Sequence, residues 1–227
     1  VLELLRRHPG VRVELVGPLG LPQHVSRAGH VVLVGGGLGV APVYPQLRAF
    51  KEAGNRTTGI IGFRNKDLVF WEETFGRYCD NLIVCTDDGS YGKPGFVTAA
   101  LQEVLDHDRP DLVIAIGPLP MMNACVETTR PSGVKTMVSL NAIMVDGTGM
   151  CGSCRVTVGS EIKFACVDGP DFDGHQVDFK ELMLRQKRFK GEEAAANTDY
   201  AHVCNVEKVL FEQGKTNYKK YKDLAPL

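Results

Sequence analysis

Asp146, Cys151, Cys154 and Cys166 follow the spacing Asp-x4-Cys-x2-Cys-x11-Cys. One carboxylate and three thiolates at these intervals can share a metal centre. Plant-type [2Fe–2S] sites use Cys-x4-Cys-x2-Cys with a distant fourth cysteine, and here aspartate takes the first position. Gly147, Gly149 and Gly152 permit the tight backbone wrap that brings amide N–H groups toward cluster sulfides. Two other readings of the same residues stay open. Cys-x2-Cys with a further Cys and an Asp also suits tetrahedral zinc, although zinc sites rarely need a long glycine-rich loop with an upstream ligand. A redox dithiol at Cys151-Gly-Ser-Cys154 is the third, but this segment lies at no strand–helix junction. An oxygen ligand alters a cluster's redox potential relative to four thiolates.

A second constellation lies upstream. Gly35-Gly36-Gly37-Leu38-Gly39-Val40-Ala41-Pro42 follows an apolar run and opens an amphipathic one. Glycines there let the backbone approach a phosphate, and the following helix offers unpaired N–H groups and a positive dipole end. Pro42 suits a first helical turn, where its missing N–H is unneeded. The bland alternative is a tight strand-to-helix turn. Gly117-Pro118-Leu119-Pro120-Met121 follows a later apolar run in the same way. Between them, Arg64 and Asp87-Asp88 end two more runs. An aspartate near an adenosine accepts hydrogen bonds from a ribose diol and repels a 2′-phosphate, which favours NADH. Arg64 argues the other way as a phosphate contact, or forms a surface ion pair; Asp87-Asp88-Gly89 also reads as a plain turn.

These residues need a scaffold that brings loop ends together. From Val31 to Leu140, β-branched runs alternate with amphipathic segments: strands at 31–34, 58–62, 81–86, 111–116 and 135–140, helices at 42–53, 67–75, 96–105 and 121–129. The expected fold class is α/β, a five-stranded parallel doubly wound sheet. Beyond it, 155–158 and 162–166 flank Gly159-Ser160, a β-hairpin in a small iron–sulfur subdomain. The expected organisation is therefore 26–140 for the nucleotide domain, 141–190 for the cluster subdomain, and a polar tail at 191–227 that links or docks a partner. Within the tail, 206–212 reads as a helix and 215–222 is rich in lysine.

Balanced charge, 26 basic against 27 acidic residues, gives no electrostatic surplus for nucleic acid or an anionic membrane. No apolar run is long enough to span a bilayer and no signal segment is present, so a cytoplasmic location is expected. Seven cysteines, an odd number, favour metal or redox use over a disulfide framework. Cys79, Cys85 and Cys125 read as small buried apolar residues, and Cys204 also lies outside the ligand spacing. His175 reads as structural rather than as a ligand. The chain starts at Val1, as though inside a longer protein.

Gly37-x-Gly39-x-x-Pro42 and Gly117-Pro118-x-x-Met121 resemble the nicotinamide domain of the ferredoxin–NADP⁺ reductase superfamily. Where that superfamily places a cysteine before the second loop, this sequence has Ile116. With the cysteine loop added, the chain resembles the electron-transfer subunits of dihydroorotate dehydrogenase. It is most similar to their relatives, the small subunits of NADH-dependent ferredoxin:NADP⁺ oxidoreductase, or sulfide dehydrogenase. The residues that carry this match are 17–20, 34–42, 86–92, 116–122, 138–155 and 163–179. The aspartate in the ligand set is typical of the second group, whereas the dihydroorotate partners have four cysteines. The resemblance implies NAD(H) bound along Gly35, Gly36, Gly37, Gly39 and Pro42 and at Gly117, Pro118 and Met121; Arg64, Asp87 and Asp88 are the strand-end residues expected to join them. It implies a [2Fe–2S] cluster on Asp146, Cys151, Cys154 and Cys166, and FAD held mainly by a preceding barrel of which 1–25 is the remnant. It also implies a larger flavin- and iron–sulfur-bearing partner subunit and flavin-based electron bifurcation.

Overall fold

Strand β1, His30–Gly36, is buried at every position, as is β2, Arg56–Phe63, after its first residue. Both faces are covered by helices, so these strands read as unbroken apolar runs rather than alternating ones. The computed structural model describes residues 17–199. The sequence-expected helix at 206–212, the lysine-rich end, Cys204 and most of the barrel remnant lie outside them.

The remaining strands are β3 Asn81–Thr86, β4 Lys93–Pro94, β5 Leu112–Ile116, β6 Lys135–Ser139, β7 Arg155–Val158, β8 Glu161–Phe164 and β9 Asp171–Asp173. They form one sheet in the order β4-β3-β2-β1-β5-β6-β9 and a separate β7-β8 hairpin. The five expected strands make the parallel core. Two short strands extend it: β4 alongside β3, and β9 antiparallel to β6 with Ser139 opposite Asp171. In this way the cysteine-bearing segment is stitched to the sheet.

Helix α1, Val40–Glu52, buries Val40, Val43, Leu47 and Phe50, a spacing that keeps one face on the sheet. A helix was expected at 67–75, but the chain forms a short 3-10 turn at Lys66–Leu68 and a brief helix α2, Glu72–Gly76. Phe70 packs edge-on against Phe63 with centroids 5.4 Å apart, and Trp71 takes a left-handed backbone with φ 60° while contacting Tyr44. Both anchors need non-helical chain between the turns. α3, Val97–His107, and α4, Leu119–Thr129, follow as expected.

Asn55 ties the entry to the sheet. Its amide donates to Ser26 and Phe50 carbonyls and its oxygen accepts from the Ala28 and Gly29 amides, which satisfies all four bonds of a residue only 3% exposed. His175 is structural: its Nε2 lies 3.1 Å from Thr129 Oγ1, which is also within hydrogen-bond distance of the Val126 carbonyl. Cys85 and Cys125 are buried, and burial pushes the Cys79 and Cys125 thiols up to about 12, where they stay protonated and inert.

The first compact unit ends at Leu182 and takes in α5, Ala165–Asp168, and the first half of α6, Phe179–Gln186. The second unit starts at Met183 and contains α7, Lys190–Asp199. The polar stretch read as a linker thus opens with a helix, favoured by Glu192 and Glu193 in its first turn and by the alanines that follow.

Candidate functional site

Strand order reverses between β1 and β5, which lie side by side with Gly35 opposite Ile116. In open α/β sheets, ligands bind outside the carboxyl ends of the strands at such a point. The loops after these two strands are the two glycine motifs. Their glycines do different work. A Cβ on Gly39 would lie 2.2 Å from the Ile116 carbonyl oxygen, and one on Gly36 would lie 2.2 Å from Met121 Sδ. One on Gly117 would lie 2.8 Å from Met121 Cε. Gly36, Gly39, Gly117 and Met121 therefore pack the two loops onto each other. Gly35 lets β1 run against Val40, 3.0 Å from where its Cβ would stand. Gly37, with φ 54°, faces open space, and the neighbouring Leu38 is 86% exposed. Pro42 is the third residue of α1, and Pro118 caps α4.

Arg64, Asp87 and Asp88 stand exposed at the ends of β2 and β3. The two chain ends stay paired past the strands, through Asp87 N to Phe63 O and Asp88 N to Arg64 O. Asp88 Oδ1 accepts from both the amide and the hydroxyl of Ser90. Those bonds hold its carboxyl below the ordinary range. Ser90 Oγ also accepts from the Lys66 amide at 2.8 Å, and the Tyr91 hydroxyl donates to Glu72. Ser90 and Tyr91 thus brace this wall, a role their positions in a turn-like stretch do not reveal. Asp88 commits one oxygen to its turn, and Asp87 is the exposed carboxylate beside it.

The cysteine loop runs from the end of β6 into the β7-β8 hairpin. Asp146 folds it: Oδ1 accepts from the Thr148 amide and Oδ2 from the Cys151 amide, each at 2.8 Å. The carboxyl is held below its ordinary range by the Thr148 amide first, with the Cys151 amide and thiol adding to it. Gly147, Gly149 and Gly152 all have positive φ, at 76°, 84° and 65°, backbone that a side chain would strain. The expected second hairpin strand stops at Phe164. Ala165 N donates to Cys154 O, one step beyond the β7-β8 ladder, and Phe164 N donates to Asp168 Oδ2, which turns 165–168 into the single turn α5. That turn carries Cys166 to Cys154, sulfur to sulfur at 3.2 Å, with both residues buried. Burial, and then hydrogen bonding with Cys154, pushes the Cys166 thiol up.

The structure joins the four expected ligands two by two: Asp146 takes the Cys151 amide, and the Cys154 and Cys166 sulfurs lie 3.2 Å apart. Asp146 is near enough for its charge to act on Cys166, and the Gly149 backbone hydrogen-bonds the same thiol. Two thiolates on one tetrahedral ion, at about 2.3 Å each, lie about 3.8 Å apart. The 3.2 Å pair fits that demand after a small opening. Among the described residues, no three of His, Cys, Asp and Glu surround a single point as a metal-ion site.

Residues 141–178, which hold all four, match the family model for the iron–sulfur cluster binding domain of dihydroorotate dehydrogenase B. The chain is 47% identical over 189 residues to a dihydroorotate dehydrogenase B (NAD(+)) electron transfer subunit homolog of Thermotoga maritima, covering 83% of this chain and 67% of that protein. The chain belongs to the dihydroorotate dehydrogenase B electron transfer subunit family. The subunit of Shouchella clausii is 38% identical, with 77% of this chain and 68% of that protein covered. A chain from the structure of an NADH-dependent reduced ferredoxin-NADP oxidoreductase, described for flavin-based electron bifurcation, superposes with a TM-score of 0.77. It is 46% identical, and the match covers 84% of this chain and 68% of that one. The resemblance read from the sequence is borne out at this level, and this electron transfer subunit relative spans about two thirds of the length of the proteins it matches. No helix among the described residues is long and apolar enough to cross a membrane.

Proposed function

We propose that this chain is the nicotinamide- and cluster-binding part of an electron-transfer subunit that takes electrons from NADH and delivers them singly to a larger flavin- and iron–sulfur-bearing subunit. The observation that carries this reading is the buried Cys154–Cys166 sulfur pair at 3.2 Å, set in a segment that matches an iron–sulfur binding family. When bound, FAD splits a two-electron donor into single electrons and a [2Fe–2S] cluster relays them. The chain's own residues hold and orient. Asp146, Cys151, Cys154 and Cys166 supply the ligands, and the thiols must release protons as metal enters. The α1 N-terminus and open Gly37 cradle the NADH phosphates, with Pro118 and Met121 on the nicotinamide side and Asp87, Asp88 and Arg64 on the adenosine side. No side-chain acid or base is assigned. Residues 1–25 are read as the end of a flavin-binding barrel, 26–140 as the nucleotide domain, 141–190 as the cluster subdomain, and 191–227 as a partner-docking or linking segment. A cytoplasmic location suits thiols that must stay reduced.

Within the family, two assemblies are consistent with the chain. Aspartate in the first ligand position favours the NADH-dependent ferredoxin:NADP⁺ oxidoreductase type, with electron bifurcation; identity is 46% to that structure and 47% to the Thermotoga maritima homolog and does not separate the two. Service to dihydroorotate oxidation is the second reading. Anaerobic purification of the full-length protein from its native source tests the proposal. Iron with inorganic sulfide, a co-purifying larger flavoprotein, and bleaching of the visible spectrum by NADH are expected. A colourless zinc-loaded protein would overturn it.

The adenosine wall gives a second test. Asp87→Ser is expected to raise NADPH affinity relative to NADH about tenfold, roughly 1.4 kcal/mol, measured by fluorescence titration. An unchanged ratio would move the discrimination away from this loop.

A further inference from the structure

Asp171 opens β9, opposite Ser139 at the end of β6, and its Oδ2 takes a hydrogen bond from Gln46 Nε2 of α1 at 3.3 Å. Among the described residues, two buried atoms of this contact have no hydrogen-bond partner: Asp171 Oδ1 and Gln46 Oε1. An ionised carboxylate only accepts, so it can use the amide's NH2 but leaves the amide oxygen without a donor. A carboxylic acid supplies the missing donor. Acid and carboxamide then form a closed pair, O–H to the amide oxygen in one direction and N–H to the acid oxygen in the other, and both orphaned atoms are satisfied. Leaving them unmade is unfavourable in a buried setting.

We propose that Asp171 carries a proton and pairs face to face with Gln46, a clasp that positions α1, the helix of the nucleotide loop, against the strand that follows the cluster ligand Cys166. Its surroundings favour the neutral form. Burial is the largest influence and raises the carboxyl, while the Ser139 and Gln46 side chains beside it lower it. The charged groups on the elements packed around it are engaged elsewhere: Arg48 with Glu52, Lys51 with Asp80, and Asp173 with His175 and Gln176. Lys135 stands at the opposite end of β6. Asp171 is thus a positioning residue, and its protonation sets how firmly the nucleotide helix and the cluster segment are joined.

The inference rests on the proposed NADH-to-cluster route only for its kinetic consequence, so the tests are chosen to separate the two. In the full-length holoprotein, infrared difference spectra between wild type and Asp171→Asn should show a protonated-carboxyl C=O stretch in the wild type. That band should persist above the ordinary aspartate pKa of about 3.9, shift in D2O, and move in Gln46→Leu. Below that pH both folded and unfolded chains hold the proton. As pH rises the unfolded chain releases it first, so stability falls until the folded carboxyl also titrates. Asp171→Asn keeps an amide pair and removes this loss, so its melting temperature should gain on wild type with rising pH. Asp171→Ala should slow NADH-driven bleaching of the cluster about tenfold, and Asp171→Asn should restore it. A band titrating at the ordinary value, or parallel melting profiles of wild type and Asp171→Asn, overturns the clasp. Normal infrared and melting results without any bleaching by NADH would leave the clasp intact and sink the proposed route instead.

Discussion

Cys166→Ser is expected to strip the protein of its visible absorption and most of its iron, while Cys85→Ala, outside the ligand set, keeps both. The two thiols differ in what surrounds them. Cys166 is buried 3.2 Å from Cys154, on a single helical turn whose direction is set by Asp168 and the Cys154 carbonyl. Cys85 lies inside β3, 1% exposed, with its thiol raised chiefly by burial. Loss of even an outer-shell partner lowers metal affinity roughly 10- to 100-fold, and loss of a thiolate should exceed that. Serine's hydroxyl is a harder donor than the soft thiolate that iron–sulfur sites select. Iron and sulfide analysis with the visible spectrum reads the outcome. The partner experiment is Asp146→Cys, which should retain the cluster but shift its midpoint potential, because four thiolates donate more charge than three and a carboxylate. Full iron and an unchanged spectrum in Cys166→Ser would remove the 154–166 pair from the ligand set.

Much of the scaffold was legible because its signals are local. The unbroken runs in β1, β2 and β5 and the Val40, Val43, Leu47, Phe50 spacing of α1 come from burial against neighbours on every side, and burial fixes composition. β9 was not legible: Asp171-Phe-Asp173 is too short to carry a period and is a strand only because β6 offers an edge. The break of the expected helix at 67–75 depends on Trp71 finding Tyr44 and Phe70 finding Phe63, contacts made by the folded chain. At the site, spacing pointed to the four ligand residues but not to their pairing. Cys154 meets Cys166 through a hairpin and one turn, which is tertiary geometry. Gln46 and Asp171, 125 residues apart, leave no trace in a local pattern. The glycine loop is the instructive case. Sequence treats its glycines alike as phosphate-approaching residues, whereas the structure divides them between loop packing and one open position.

That division predicts a separation of stability from binding. Gly39→Val should lower stability by about 3 kcal/mol, since overpacking typically costs about 1–3 kcal/mol and occasionally more. Its Cβ would meet main-chain atoms, 2.2 Å from the Ile116 oxygen and 2.8 Å from Gly117 Cα. A flexible side chain could rotate away, but two strand ends in the middle of a sheet cannot. At roughly 2–4 °C per kcal/mol for a chain of this size, the melting temperature should fall by about 6–12 °C, and NADH binding should fall with it. Gly37→Asn should behave differently. Gly37 has φ 54° and, among the described residues, nothing within 4 Å of where a Cβ would stand, and asparagine tolerates left-handed backbone better than other residues. The fold should survive nearly unchanged while the new side chain occupies the space assigned to the cofactor phosphates. NADH affinity should then drop about tenfold, or roughly 1.4 kcal/mol, in calorimetric titration. If Gly37→Asn binds NADH as wild type does, the open face is an ordinary turn and the cofactor lies elsewhere along the sheet edge. If Gly39→Val melts with wild type, the two loops do not touch as described.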